Sequence, residues 1–225
     1  LEKGTVPVVN SPDDEKRLAA EAAAELVESG MTVGLGTGST VAHLLPAIAR
    51  RNLTNIRCVA TSVATEKQAR ELGIPVEDFD RLQRLDIAID GTDEVTPDGW
   101  LIKGGGGAHL REKIVAAAAE RFVVICDSSK PVESLTGPVP LELFGFGAAS
   151  TLARLGSEVE LRNVPRSPDG GLIADYRGPG LDDPATLAAR LEADPGVAAH
   201  GLFPPDMVSE LFVGKGDAFD RTSFT

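Results

Sequence analysis

Apolar positions along this chain switch between two rhythms. In "SPDDEKRLAAEAAAELVESG" (11–30) they recur every three or four residues, the period of an amphipathic helix. Ser11 can cap that helix, Pro12 suits its first turn, Asp13 and Asp14 favour its positive end, and Gly30 marks its stop. "MTVGLG" is then a short continuous apolar run, read as a buried strand, and "TGSTVAHLLPAIARR" returns to the helical period. "NIRCVA" reads as strand and "ATEKQARELG" as helix; "LDIAID" and "GWLIKG" read as strands. "HLREKIVAAAAE" is a helix and "RFVVICD" a strongly apolar strand. Strand and helix thus alternate five times in the first 130 residues, which predicts a parallel sheet with helices on both faces.

After "SSKPVESLTGPVPLEL" the spacing lengthens. "SEVELR", "GLIADY", "DDPATLAARLEAD", "GVAAHGLF" and "MVSELFVGKG" give strands interrupted by helices. The division expected is a first domain over 1–134, rejoined by 207–225, and a smaller α+β lobe over 135–206.

Composition narrows the class. Of the 225 residues, 42% are hydrophobic and 25% charged, which is globular and not disordered. No apolar run reaches the ~18–20 residues of a membrane span, and "LEKGTVPVVNSPDDEK" lacks a signal-peptide core. A soluble cytoplasmic protein is expected. Cys58 and Cys126, each inside an apolar strand, are expected to be buried thiols. His43, His109 and His200 stand far apart, and no CxxC or HExxH occurs, so no dedicated transition-metal site is expected. The net charge of −12, with no cluster of Lys and Arg, argues against a nucleic-acid surface. Such acidity suits solubility in a salty cytoplasm. An anionic substrate would need a locally positive site.

Ligands of open parallel sheets bind at the carboxyl ends of the strands, and four unusual loops fall there. "GLGTGST" (34–40) fails the dinucleotide pattern because Ser39 stands where its third glycine belongs; it remains either an anion nest or a tight turn. "TSVATEK" (61–67) is hydroxyl-rich, a capping motif with Thr65 to Gln68 as a box, or part of a site. "IDGTDE" (89–94) sets Asp90 and Asp93 three apart, for acid–base work, metal binding or turn chemistry. "LIKGGGGAHLREKI" (101–114) ends a strand on Lys103, then offers bare backbone before Glu112. Glu112 is either a helix-stabilising acid or a reacting group. Lys130, in "CDSSK", is either a phosphate ligand or a solvated lysine.

In order, "GLGTGST", "TSVATEK", "IDGTDEV", "LIKGGGGAHLREKI", "DSSK", "PVPLEL" and a late "PGV…GLF" resemble the A-type ribose-5-phosphate isomerases, over about residues 13 to 213. The resemblance implies a Rossmann-like parallel sheet with helices on both faces plus a smaller α+β lobe. It implies interconversion of ribose 5-phosphate and ribulose 5-phosphate in the pentose phosphate pathway, with neither metal nor cofactor. The partner is a small sugar phosphate, not nucleic acid or membrane, and the assembly a homodimer or tetramer. The family's general base falls on Glu112, its paired acids on Asp90 and Asp93, and its lysine on Lys103. Substrate binding falls on Thr37, Gly38, Ser39, Thr40, Gly104, Gly105, Gly106, Lys130 and Lys16.

Those residue types fit the chemistry. One carboxylate can take a proton from C2 and return it to C1 of a cis-enediolate, while Lys103 and the N–H groups of Gly104 to Gly107 meet the developing oxyanion. Asp90 and Asp93 would open the sugar ring. Two positions depart from the family pattern: Val63 interrupts a hydroxyl-rich loop, and His109-Leu110 replaces a Leu-Thr pair. His109 is expected to face solvent at the helix start; the sharper alternative gives it a role in substrate range or pH response. Rival readings are a sugar-phosphate lactonase, an amino-sugar deaminase, an acyl-CoA transferase, a non-catalytic sugar-phosphate sensor and a nicotinamide dehydrogenase. The Lys103, Glu112, Asp90, Asp93 set and the absence of a basic DNA-binding module weigh against them.

Overall fold

The computed structural model describes residues 11–224. Its central sheet has the strands β1 (Thr32–Leu35), β2 (Arg57–Ala60), β3 (Ile87–Gly91), β6 (Phe122–Asp127), β12 (Glu210–Lys215) and β13 (Ala218–Ser223), in the order β13-β12-β6-β3-β1-β2. All neighbours run parallel except the edge hairpin β12–β13. Two-residue periodicity sends Val33, Leu35, Ile87, Ile89, Val123 and Ile125 to one face, against helices α1 (Pro12–Ala24) and α2 (Val41–Arg50). Val59, Ala88, Val124 and Cys126 go to the other face, against α4 (His109–Ala118) through Val115 and Ala116. Helix α3 (Val63–Glu71) buries Ala69 in the first of these clusters.

A second sheet, ordered β10-β7-β9-β8, is made of β7 (Val139–Leu143), β8 (Val159–Leu161), β9 (Leu172–Tyr176) and β10 (Val197–His200). Its apolar face is covered by Leu187 and Leu191 of α6 (Pro184–Glu192). Helix α5 (Ala148–Leu155) flanks it. A third sheet of three short strands, β4 (Glu94–Val95), β5 (Leu101–Ile102) and β11 (Leu202–Phe203), lies in the order β11-β5-β4.

Several expectations change. Helix α1 carries the Ser11 cap and Pro12, with Asp14 completing the capping box, but it ends at Ala24 and not at Gly30. Arg51 ends it, donating to the carbonyls of Ala24 and Val27. "GWLIKG" contributes only Leu101–Ile102, in the third sheet, so the first 130 residues supply four strands of the central sheet. The segment after 207 does rejoin that sheet, through β12. Helix α5 and strand β13 have no counterpart in the sequence reading. Only Thr151 of α5 is buried, and every residue of β13 is exposed, so neither writes an apolar rhythm. Cys58 and Cys126 are free, buried thiols, and burial pushes both up to about 12. Among the described residues no helix is long and apolar enough to cross a membrane.

Candidate active site

The chain leaves β1 toward β2 on one side, while β3 lies on the other, so the strand order reverses between β1 and β3. A crevice opens there at the carboxyl ends. Gly36, just past β1, gives its N–H to the Ile89 carbonyl at 3.0 Å. A Cβ at position 36 would stand 2.0 Å from Asp90 Oδ1. Bare backbone therefore lets Asp90 lie across the loop and accept from the N–H groups of Thr37 (3.0 Å) and Gly91 (2.7 Å). The hydroxyl-rich stretch after β2 braces this loop from behind. Thr61 and Thr37 join hydroxyls at 2.7 Å, and Thr65 donates to the Gly36 carbonyl at 2.8 Å. The cap of α3 is Ser62, accepting from the Thr65 N–H, and not a box from Thr65 to Gln68; the Gln68 amide goes to the Ala42 carbonyl.

Lys103 follows β5 and enters the crevice floor. Its ammonium lies 2.9 Å from Asp90 Oδ2 and 3.2 Å from Glu112 Oε2, and it donates to the Gly91 carbonyl. The exposures of Lys103, Asp90 and Glu112 are 2%, 3% and 5%, so their charges act in a poorly screened setting. Burial and the nearby Asp90 charge raise the Glu112 carboxyl to about 8, against the pull of Lys103. Burial works against the Lys103 charge, yet the two carboxylates overcome it and hold its pKa above the ordinary lysine value. Asp90 Oδ2 and Glu112 Oε2 make no directed hydrogen bond. Both are held instead by the Lys103 ammonium, and of the two carboxylates only Glu112 lines the cleft.

The glycine run crosses above. Gly104 and Gly107 have φ of +101° and +77°, where side chains are strained. At 104 a Cβ would also meet His109 Nδ1 at 2.6 Å. The N–H of Gly105 goes to Asp93 Oδ2 at 2.8 Å and that of Gly107 to the Gly104 carbonyl at 2.9 Å. Two of the four expected oxyanion donors are thus already engaged. Gly106, on the cleft wall, keeps its N–H unpaired among the described residues.

The cleft, about 140 Å³, is lined by Lys16, Thr37, Gly38, Ser39, Thr40 and Lys130, and by Gly91, Thr92, Asp93, Lys103, Gly104, Gly105, Gly106 and Glu112. Every residue nominated from sequence is on its wall except Asp90, which stands behind Lys103. The N–H groups of Gly38, Ser39 and Thr40 make no hydrogen bond among the described residues, and Thr40 begins α2 without a side-chain cap. Free amides, a helix N-terminus and two lysines form an anion site. This is the local positive patch that a protein of net charge −12 needs.

His109 overturns its expectation: it is fully buried, not solvent-facing. Burial, with Lys113 and Arg162 nearby, drives its pKa down to about 3, and neither ring nitrogen has a side-chain-quality hydrogen bond. Sequence reasoning also missed Arg162, which reaches the glycine run from the second sheet, and Asp175, which holds it. Neither sits in a motif; only the fold brings them there.

A family model described as Ribose 5-phosphate isomerase A (phosphoriboisomerase A) matches residues 57–218. A ribose-5-phosphate isomerase A of Caulobacter vibrioides is 46% identical over 224 residues, covering 94% of this chain and 98% of that protein. The crystal structure of ribose 5 phosphate isomerase A from Neisseria gonorrhoeae superposes with a TM-score of 0.91 at 34% identity, covering 96% of this chain and 99% of that one. A D-ribose-5-phosphate isomerase solved in complex with phospho-erythronic acid gives 0.89 at 32% identity, covering 95% and 100%.

Proposed function

The chain belongs to the ribose 5-phosphate isomerase A family, which interconverts ribose 5-phosphate and ribulose 5-phosphate, and on that premise we propose how its residues divide the work. The phosphate occupies the end formed by Lys16, Lys130, the hydroxyls of Ser39 and Thr40 and the amides of Gly38 to Thr40. The opposite end of the sugar then lies over Glu112 and Lys103. Glu112 removes the C2 proton of the open-chain aldose; the C–H electron pair becomes the C1=C2 bond, and the C1 oxygen takes up the charge. Lys103 and the Gly106 N–H stabilise that cis-enediolate, a donor type whose loss typically costs ~3–4 kcal/mol. Returning the proton from Glu112 to C1, with transfer of the O2 proton to O1, leaves the ketone at C2.

Asp93, exposed at the cleft, is the carboxylate suited to proton exchange during ring opening. Asp90, gripped by two amides, holds Lys103 in place and keeps the Glu112 carboxyl basic. We read 1–134 with 207–225 as the catalytic domain and 135–206 as the second. We place the protein in the cytoplasm, as a homodimer or tetramer, an assembly that light scattering checks.

The observation that carries the reading is the buried ammonium between two carboxylates, sharing one cleft with an anion site. The test is proton NMR of ribose 5-phosphate with the protein in D2O and EDTA. Ribulose 5-phosphate with deuterium at C1 is expected, and Glu112→Gln should abolish both signals. Turnover at the wild-type rate by that variant would remove the base assignment. Phospho-erythronic acid, whose planar carboxylate resembles the enediolate in shape and charge, should bind the same cleft.

A further inference from the structure

Arg162 directly follows β8 and belongs to the second sheet, yet its side chain points at the glycine run. Two of its nitrogens grip Asp175 of β9, Nε to Oδ2 at 2.9 Å and Nη2 to Oδ1 at 2.7 Å. The third, Nη1, donates to the Gly105 carbonyl at 2.7 Å and the Gly104 carbonyl at 3.3 Å. The side chains of Arg162 and Asp175 are only 18% and 10% exposed, so the pair is shielded and geometrically fixed.

These contacts determine which way two peptide planes face. In a trans peptide the carbonyl and the following N–H point in opposite directions. The plane that gives the Gly104 carbonyl to Arg162 turns the Gly105 N–H toward Asp93, which accepts it at 2.8 Å. The next plane gives the Gly105 carbonyl to Arg162 and so turns the unpaired Gly106 N–H away from it, into the cleft. Glycines accept nearly any φ and ψ, and nothing in their own covalent structure selects this orientation. A cation on the carbonyl side also polarises each peptide, strengthening the N–H as a donor.

We infer that Arg162, locked by Asp175, is a positioning residue for the isomerisation: the second sheet sets and polarises the Gly106 amide donor that meets the enediolate. The inference rests on the division of work proposed above. Lysine is a poor substitute, since one ammonium cannot hold a carboxylate bidentately and still reach two carbonyls in the same plane.

The test measures Kd by calorimetry for phospho-erythronic acid and for inorganic phosphate, with kcat and KM for ribose 5-phosphate. The proteins are wild type, Arg162→Met, Arg162→Lys and Asp175→Asn. Calorimetric Kd does not depend on the fraction of folded protein, so a merely structural loss would lower the stoichiometry and leave it unmoved. For Arg162→Met the expected result is a Kd for phospho-erythronic acid weaker by on the order of tenfold to a hundredfold, with a similar fall in kcat. KM and the phosphate Kd should stay within about threefold. Arg162→Lys should recover part of the loss, and Asp175→Asn should move the same way by less.

Wild-type Kd and kcat in folded Arg162→Met, or equal weakening of both ligands, would overturn the proposal. Should Arg162→Met not fold, Asp175→Asn decides: selective weakening of phospho-erythronic acid supports the clamp, and unchanged affinity overturns it. Glu112→Gln separates the two layers. Its inactivity beside a fully active Arg162→Met sinks the clamp alone, while wild-type activity in Glu112→Gln sinks the underlying site assignment and the clamp with it.

Discussion

Replacing Glu112 by Gln should abolish turnover and at the same time stabilise the protein, by an amount that depends on pH. The carboxyl titrates at about 8 in the folded chain, against an ordinary value of 4.5, because burial and Asp90 disfavour its charge more than Lys103 favours it. Between those two values the folded state holds a proton that the unfolded state has lost. The contribution of Glu112 to stability therefore falls as pH rises across that window, and is level below about 4.5 and above about 8. At about 1.4 kcal/mol per pH unit the full window amounts to roughly 5 kcal/mol. Glutamine is nearly isosteric with the protonated acid and carries none of this penalty. Urea unfolding at pH 4.5, 6.5 and 8.5 should give equal stabilities at the lowest pH and a variant more stable by a few kcal/mol at the highest. The same group should appear in wild-type kinetics, with kcat/KM rising toward an apparent pKa near 8 as the base is freed. A stability difference that does not change with pH, or a wild type more stable than the variant at pH 8.5, would refute the reasoning. The first result would mean that the Lys103 attraction cancels the burial cost, and the second that it outweighs it.

Gly36→Ala places a Cβ 2.0 Å from Asp90 Oδ1; calorimetric melting should show a loss of about 1–3 kcal/mol, and kcat should fall at least about tenfold as Asp90 and Lys103 shift. Lys16→Ala and Lys130→Ala should each raise KM for ribose 5-phosphate on the order of tenfold with kcat little changed, and steady-state kinetics should show that effect shrinking as salt is added. His109, buried with its pKa down to about 3 from 6.5, binds fewer protons folded than unfolded in that range. Its contribution to stability is present above 6.5 and lost as pH falls toward 3, so His109→Asn should flatten the acid limb of an unfolding curve measured between those values.

The parts of this molecule that were legible in the sequence are those where chemistry imposes a local requirement. Gly36 and Asp90 stand at the ends of β1 and β3, Lys103 and the glycine run follow β5, and Glu112 sits in the first turn of α4, because the cleft needs bare backbone and projecting charges there. The illegible parts depend on distant partners. His109 occupies the first turn of a helix, where polar residues usually meet water, and only the approach of Gly104 and the second lobe buries it. Arg162 lies 57 residues from the carbonyl of Gly105 that it holds, with no motif to mark it. Strand β13 follows an ordinary hairpin, but its fully exposed face removes the alternation by which strands are read. The TSVATEK loop was half legible: its hydroxyls are used, but to brace the neighbouring loop and not to line the cleft.

The small sheet β11-β5-β4 looks incidental beside the other two, yet it works as a rivet. Its middle strand runs directly into Lys103, whose N–H is bound to the Gly201 carbonyl at 2.9 Å, and the Gly201 N–H is bound in turn to Pro140 of the second sheet at 2.7 Å. A Cβ on Gly201 would stand 2.2 Å from the Lys103 carbonyl oxygen, so the two backbones are in direct contact. Swinging the lobes apart like a clam shell would tear out the residue that carries the central ammonium. Any movement of the second sheet at this point is thus coupled to the position of the central ammonium.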